Sequence, residues 1–283
     1  MRFNPLSYSF AFLLLSCLSV SCVSAEQSRI DAETHTMRRD SLYDVELAHT
    51  EGLEIPTLDD QRDSVLLVHA GYVVSYNLQT NAPNWVAWHL TPQRLVSRES
   101  RSGILFRADS LLPEANRVST NDYSGSGYDR GHLCPSSDNR WHLQPMRECF
   151  LMSNMCPQDH NLNANAWNEL EKKCRHWANV FGDVYIVCGP VYDASKEPRY
   201  IGREHCVRVP DSFFKVVLCF DKFGQAQAIG FLMQNDNQHL SLRRYAKNID
   251  AIERLTGIDF FPQLDDQIED KVEAWYEWTD WPM

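Results

Sequence analysis

Two short stretches carry residue types able to work on a phosphate. The first, Gly125-Ser126-Gly127-Tyr128-Asp129-Arg130-Gly131-His132-Leu133, sets a His behind a tight glycine turn, directly after an Asp-Arg pair. The second, Leu162-Asn163-Ala164-Asn165-Ala166-Trp167, begins thirty residues after His132. A neutral imidazole accepts a proton near neutral pH, and a side-chain amide oxygen ligates a hard cation. Brought together, they supply a base that activates water and a cation that holds a phosphate.

The surrounding elements must do that positioning. Val65-Leu66-Leu67-Val68-His69, Tyr72-Val73-Val74-Ser75-Tyr76 and Trp85-Val86-Ala87-Trp88-His89-Leu90 are short apolar runs containing β-branched and aromatic residues, as strands are. After His132, Cys149-Phe150-Leu151-Met152-Ser153-Asn154 reads as a short strand. A helix follows: Ala166/Trp167, Leu170, Cys174, Trp177/Ala178 and Phe181 recur every three or four residues, and Gly182 is placed as its stop. Asn163 falls at or just before its first turn, where a helix cap is a strong competing role. Glu171 and Arg175 share one face at i and i+4. The order strand, loop, strand, helix is the ββα-metal (His-Me finger) arrangement. The expected class is α+β: a central, mainly antiparallel sheet near 65–90, 184–191, 213–220 and 226–233, flanked by helices. One helix is expected over Ser241 to Leu255, before Gly257.

Charge and cysteines narrow the class. At 283 residues the chain can bury a full core. Its net charge of −11 argues against loose nucleic-acid binding, but the charge is uneven. Residues 65–258 carry 21 bases and 19 acids; residues 26–64 carry 11 acids and 4 bases, and residues 259–283 carry 8 acids and 1 base. The body is slightly basic between acidic ends. Residues 1–25, with Arg2, a short apolar run and Val23-Ser24-Ala25, read as a signal peptide, so the expected location is periplasmic, secreted or lipid-anchored. Cys17 and Cys22 each end a stretch resembling a lipidation box, and the apolar run is too short for a membrane span. Residues 26–64 read as an acidic lead-in, 65–262 as the catalytic domain and 263–283 as an acidic, Trp-rich end. Seven cysteines follow the leader, an odd number, so at least one thiol stays free or pairs between chains. Without a Cys-x-x-Cys, the set His132, Cys134, Cys149 and Cys156 fits no usual zinc spacing.

The sequence resembles the DNA/RNA non-specific endonuclease family, the ββα-metal nucleases of the endonuclease G-like kind. The matching pieces are Asn121 to His132, Leu151-Met152-Ser153-Asn154-Met155 and Leu162 to Glu171. Weaker echoes lie at Cys188-Gly189-Pro190, Val209 to Lys215 and Gly257 to Pro262. The resemblance implies His132 as general base, Asn163 as direct Mg²⁺ ligand, and Glu171 as the acidic group holding the cation's water shell. It matches Arg107, in Phe-Arg-x-Asp, to an arginine that steadies the transition state, and Arg175 to a further basic residue on the helix. Asp129 and Arg130 take supporting and phosphate-meeting roles. Ser124 departs from the pattern, where related sequences carry Arg. The implied activity is hydrolysis of DNA or RNA with Mg²⁺ (Mn²⁺ substituting), giving 5′-phosphate and 3′-hydroxyl ends. Pairing into a homodimer stays open. The competing readings are an idle nucleic-acid-binding protein of the same fold and a phosphodiesterase for small substrates.

Overall fold

The computed structural model describes residues 52–58 and 63–282. The signal-peptide reading of residues 1–25 and most of the acidic lead-in lie outside the described residues.

Seven antiparallel strands form the central sheet. In spatial order they are β12 (Ala246–Lys247), β11 (Ala226–Gln234), β10 (Ser212–Phe220), β7 (Val184–Val191), β4 (Ala82–Leu90), β3 (Val73–Asn77) and β2 (Val65–Val68). All their pairings are antiparallel, joining for example Val86 to Cys188 and Val216 to Val187. Successive side chains of a strand point to opposite faces, so β7 divides its residues between two cores. Val184, Ile186 and Cys188 join one, and Tyr185 and Val187 the other. Both faces are covered, which is why Val184–Val191 is buried throughout and reads as a continuous apolar run.

One face carries the long helix near residues 160–181, whose Trp167, Leu170, Cys174 and Trp177 pack onto the sheet. The opposite face carries the helices Ile249–Thr256 and Asp266–Ala274, through Ile252 and Val272. Gly257, left-handed at φ 64°, closes the first of these two helices. The expected single helix over 241–255 is broken. Ala246 and Lys247 pair with Phe231 and Gly230 of β11, and Asn248 then caps the second helical piece by accepting from Ala251 N. The sheet edge outcompetes helix continuation there.

Residues 52–58 of the lead-in belong to the folded body. β1 (Thr57–Leu58) pairs with β13 (Ile258–Asp259), and Glu54 and Pro56 are buried. The C-terminal segment covers the body: Trp281 meets Trp177 edge-on at 4.8 Å, and Trp177 Nε1 donates to Pro282 O at 2.9 Å. Trp275 remains exposed. The seven cysteines of the described residues are unpaired, and all but Cys206 are buried. Cys134, Cys149 and Cys156 belong to the core beside the long helix.

Candidate active site

Gly125 and Gly127 adopt φ values of 72° and 84°, which side-chain-bearing residues avoid, and turn the chain into β5 (Asp129–His132). β5 pairs with β6 (Met155–Gln158), placing His132 opposite Met155 and Gly131 opposite Cys156. A Cβ at Gly131 would stand 2.3 Å from Gln158 Oε1, so only glycine fits in front of the His. Behind it, Asn154 staples the exit. Its Oδ1 accepts from Cys134 N, and its Nδ2 donates to the carbonyls of Cys134 and Cys149.

The expected strand at 149–154 lies later in the chain. Leu151 makes one parallel bridge to Arg107, Met152–Asn154 form a single 3₁₀ turn, and pairing with β5 starts at Met155. The apolar run 149–152 is instead buried as a connection, with Cys149 and Phe150 in the core.

The long helix starts earlier than its periodicity suggests. Asp159 is the cap, accepting from Asn161 N and Leu162 N, and its own N–H donates to Asn235 Oδ1 at 2.7 Å. Asn163 therefore sits one turn inside and is not a cap. It opens a wide π turn, Asn163–Trp167, between His160–Leu162 and Asn168–Phe181. Such turns inside α-helices are frequent at functional sites. Trp167 Nε1 donates to His132 O at 3.1 Å, tying this turn to the end of β5.

His132, Asn163 and Glu171 line one cleft of about 460 Å³, joined by Asp129, Arg130 and Arg101. Asn163 Nδ2 donates to Asp129 Oδ2 at 2.8 Å, which leaves the amide carbonyl oxygen as its remaining polar atom. Burial, followed by the positive Arg101 and Arg130, lowers the His132 pKa to about 3 and keeps the imidazole neutral. Its Nε2 is buried without a protein hydrogen-bond partner. Burial pushes Glu171 up to about 7; Lys215 pulls it back, Asp138 adds to the rise, and Arg175 and Lys172 oppose it. The amide and carboxylate oxygens are hard donors, a set that fits Mg²⁺ or Mn²⁺ better than a soft metal.

The cleft does not gather every expected residue. Arg107 faces a neighbouring cleft beyond Phe106 and does not line that of His132. Adjacent residues of an extended segment point to opposite sides, and Phe106 takes the His132 side at a ring separation of 5.5 Å. Asp109 is no partner for Arg107: it is buried and engages Ser153, Leu111 N and His69. Arg101 takes the cationic place in the cleft, with its guanidinium carbon 5.3 Å from the centre of the Phe150 ring. In the sequence it is one of several scattered arginines, and nothing local singles it out. Arg175 does not line the cleft and pairs with Asp138, Nη1 to Oδ1 at 2.9 Å. Arg130 does line the cleft, stacked 4.6 Å from the Phe106 ring centre. Beneath the site, the fully buried Lys215 lies between Trp88 and Trp167, at 4.9 and 4.4 Å from their centres. Its ammonium has no hydrogen-bond acceptor among the described residues and offsets the half-buried Glu171 and the buried Asp138.

The pattern of the DNA/RNA non-specific endonucleases matches residues 49–267. The chain belongs to this family. It is 36% identical to human mitochondrial endonuclease G over 203 residues, 68% of each chain. With a nuclease of a Nostoc species it shares 35% over 222 residues, 75% of this chain and 78% of the relative. A crystal structure of the EndoG/EndoGI complex, concerned with EndoG inhibition, superposes with a TM-score of 0.68 at 29% identity, covering 76% of this chain and 91% of the other. The fold is thus that of an endonuclease of the ββα-metal type, a hydrolase acting on nucleic acid, and no helix among the described residues is long and apolar enough to cross a membrane.

Proposed function

We propose that this family member is an exported, Mg²⁺-dependent, sequence-non-specific endonuclease that hydrolyses DNA and/or RNA to 5′-phosphate and 3′-hydroxyl ends. One observation carries the reading: a neutral His132 and an Asn163 whose amide is oriented by Asp129 share a cleft with two cationic side chains. His132 takes a proton from water as the water oxygen attacks phosphorus; the P–O3′ bond breaks, the 3′ oxygen takes up a proton from solvent, and the new P–O bond remains on the 5′-phosphate. Arg101 and Arg130 face the charge that builds on the phosphoryl oxygens. Asn163 would hold the cation and Glu171, elsewhere in the same cleft, its water shell; when bound, the cation supplies Lewis-acid stabilisation of the phosphate. The chemistry assigned to this cleft acts on phosphate and requires no base-edge contact, so cleavage is expected to be weakly specific and to fall with salt. The leader-like residues 1–25 support export.

The test is cleavage of supercoiled plasmid and of RNA by the full chain, in Mg²⁺ or EDTA, beside His132→Ala. Metal-dependent degradation that disappears in the variant is expected. Equal cutting by both proteins would move the activity elsewhere, and an inert wild type across several metals and salt concentrations would end the nuclease reading.

A further inference from the structure

We propose that the neighbouring cleft, built on Arg107 and Arg147, is a second subsite that binds a backbone phosphate of the nucleic acid beyond the one being cleaved. The inference rests on the endonuclease reading above and extends it along the substrate. This cleft, of about 510 Å³, shares Phe106 with the His132 cleft, so the two adjoin across one segment of chain. That segment is held firmly. Arg107 N donates to Phe150 O at 3.1 Å, and Arg107 O accepts from Met152 N at 2.9 Å. Between the clefts, the turn at Arg101 is closed by Ile104 N donating to Arg101 O.

The chemistry of the second cleft is one-sided. Arg107 and Arg147 are both exposed, and no carboxylate lines the cleft. Among the described residues neither arginine makes an ion pair. The nearby Glu148 is already engaged, one oxygen accepting from Ala70 N and the other from Gln144 Nε2. Ser100 and Ser102 add hydroxyls to the wall. Two unpaired guanidinium groups with hydroxyls beside them suit a phosphate anion. Arg101, in the first cleft, continues the positive charge toward the scissile position. A strand seated on His132 can thus run past Phe106 onto Arg107 and Arg147. The arrangement gives Arg107 a role that its position outside the His132 cleft otherwise leaves without explanation.

The test compares the full-length wild type with Arg107→Gln, Arg147→Gln and the double variant; both side chains are exposed, so the fold is expected to survive. Two substrates are used: a single strand of roughly 20 nucleotides and a chromogenic thymidine diester with one scissile bond. The ratio of kcat/KM on the strand to that on the diester should fall about 5- to 20-fold in the double variant, and the logarithmic salt slope on the strand should flatten by roughly 0.7 per arginine. Strand affinity measured by anisotropy in EDTA should weaken in parallel. An unchanged ratio, slope and affinity in an active enzyme overturn the subsite alone. A collapse of kcat on the small diester in Arg107→Gln overturns it in favour of a catalytic arginine. A wild type inert on both substrates removes the endonuclease reading and the subsite with it.

Discussion

Asn163 Nδ2 donates to Asp129 Oδ2 at 2.8 Å, and the same carboxylate oxygen lies 2.9 Å from His160 Nδ1. This contact joins β5 to the helix one turn before the π turn unfolds into regular α-helix. It also decides which way the amide faces. Turning it over would set its carbonyl oxygen against a carboxylate oxygen, so the oxygen stays directed away from Asp129.

Asp129→Ala should therefore act through Asn163. Partners that orient a metal ligand are worth about 10- to 100-fold in metal affinity or activity. The expected result is a rise of that order in the Mg²⁺ concentration needed for half-maximal plasmid cleavage, with a smaller loss at saturating Mg²⁺. A half-saturation equal to that of wild type would show that Asn163 needs no such partner.

His132 lies against Phe106 and Phe150, at ring separations of 5.5 and 5.2 Å, and near two arginines. Burial first, then the arginines, lowers its pKa to about 3. A His lowered in this way binds fewer protons folded than unfolded. Its contribution to stability is complete above its unfolded pKa and is lost as pH falls from there toward the folded value. Expectation from an ordinary imidazole puts the acid limb of activity near pH 6.5; the structure moves it lower. In an NMR titration of the metal-free protein, the His132 ring signals should stay at their neutral positions down to about pH 5. A midpoint near the ordinary value would contradict the burial argument.

The sequence makes His132, Asn163, Glu171, Asp129 and Arg130 legible because each sits in a short motif on one local element, and the cleft unites all five. The buried strands β7, β10 and β11 are equally legible from their apolar runs. What fails depends on contacts distant in sequence. Arg101 and Arg107 are distinguished only by which side of the Phe106 segment each one faces. Asn163 looks like a cap until Asp159 is seen to hold that position, itself anchored by Asn235, 76 residues away. The break at Ala246 arises from β11, which no helical periodicity within 241–255 reports.

Asp122 is another residue whose weight only the fold reveals. It is buried at 1% exposure and accepts from Ser119 N and from the backbone N–H groups of Arg203, Glu204 and His205, with His205 Nδ1 3.0 Å from its second oxygen. Burial alone would raise its pKa, but the donors from Ser119, Glu204 and His205 outweigh that and hold it well below the usual carboxylate range. The stabilisation is thus present above the unfolded carboxylate pKa and lost as pH falls through the lowered one. Asp122→Ala leaves several donors unmatched, and hydrogen bonds to a charged group are worth about 1.5–3 kcal/mol each before non-additivity. The Tm at pH 7 should fall by roughly 2–4 °C per kcal/mol lost, and the gap to wild type should narrow on acidification. Equal melting curves at neutral pH would show the network to be dispensable.

Glu273 presents the reverse case. It is 7% exposed, and its Oε1 has no hydrogen-bond partner. Its carboxylate lies within 4.8 Å of oxygens from Asp250 and Glu253 and from Asp259 and Glu269. Burial, then the charges of Glu253, Glu269 and Asp259, push it up to about 9. A carboxyl raised in the folded state binds more protons there than in the unfolded chain. Stability is therefore lost as pH rises from the unfolded value, near 4.3, to the folded one. Glu273→Gln keeps the shape and needs no proton to be neutral in the fold, so it should melt higher than wild type at about pH 8, by roughly 2–4 °C per kcal/mol of proton-uptake cost removed. The two curves should converge only as pH falls to about 4.3 and below, where the wild-type carboxyl is protonated in the unfolded chain as well. A variant that melts below wild type at the higher pH would mean that the charge is compensated, and that the cluster is held together by something other than shared protons.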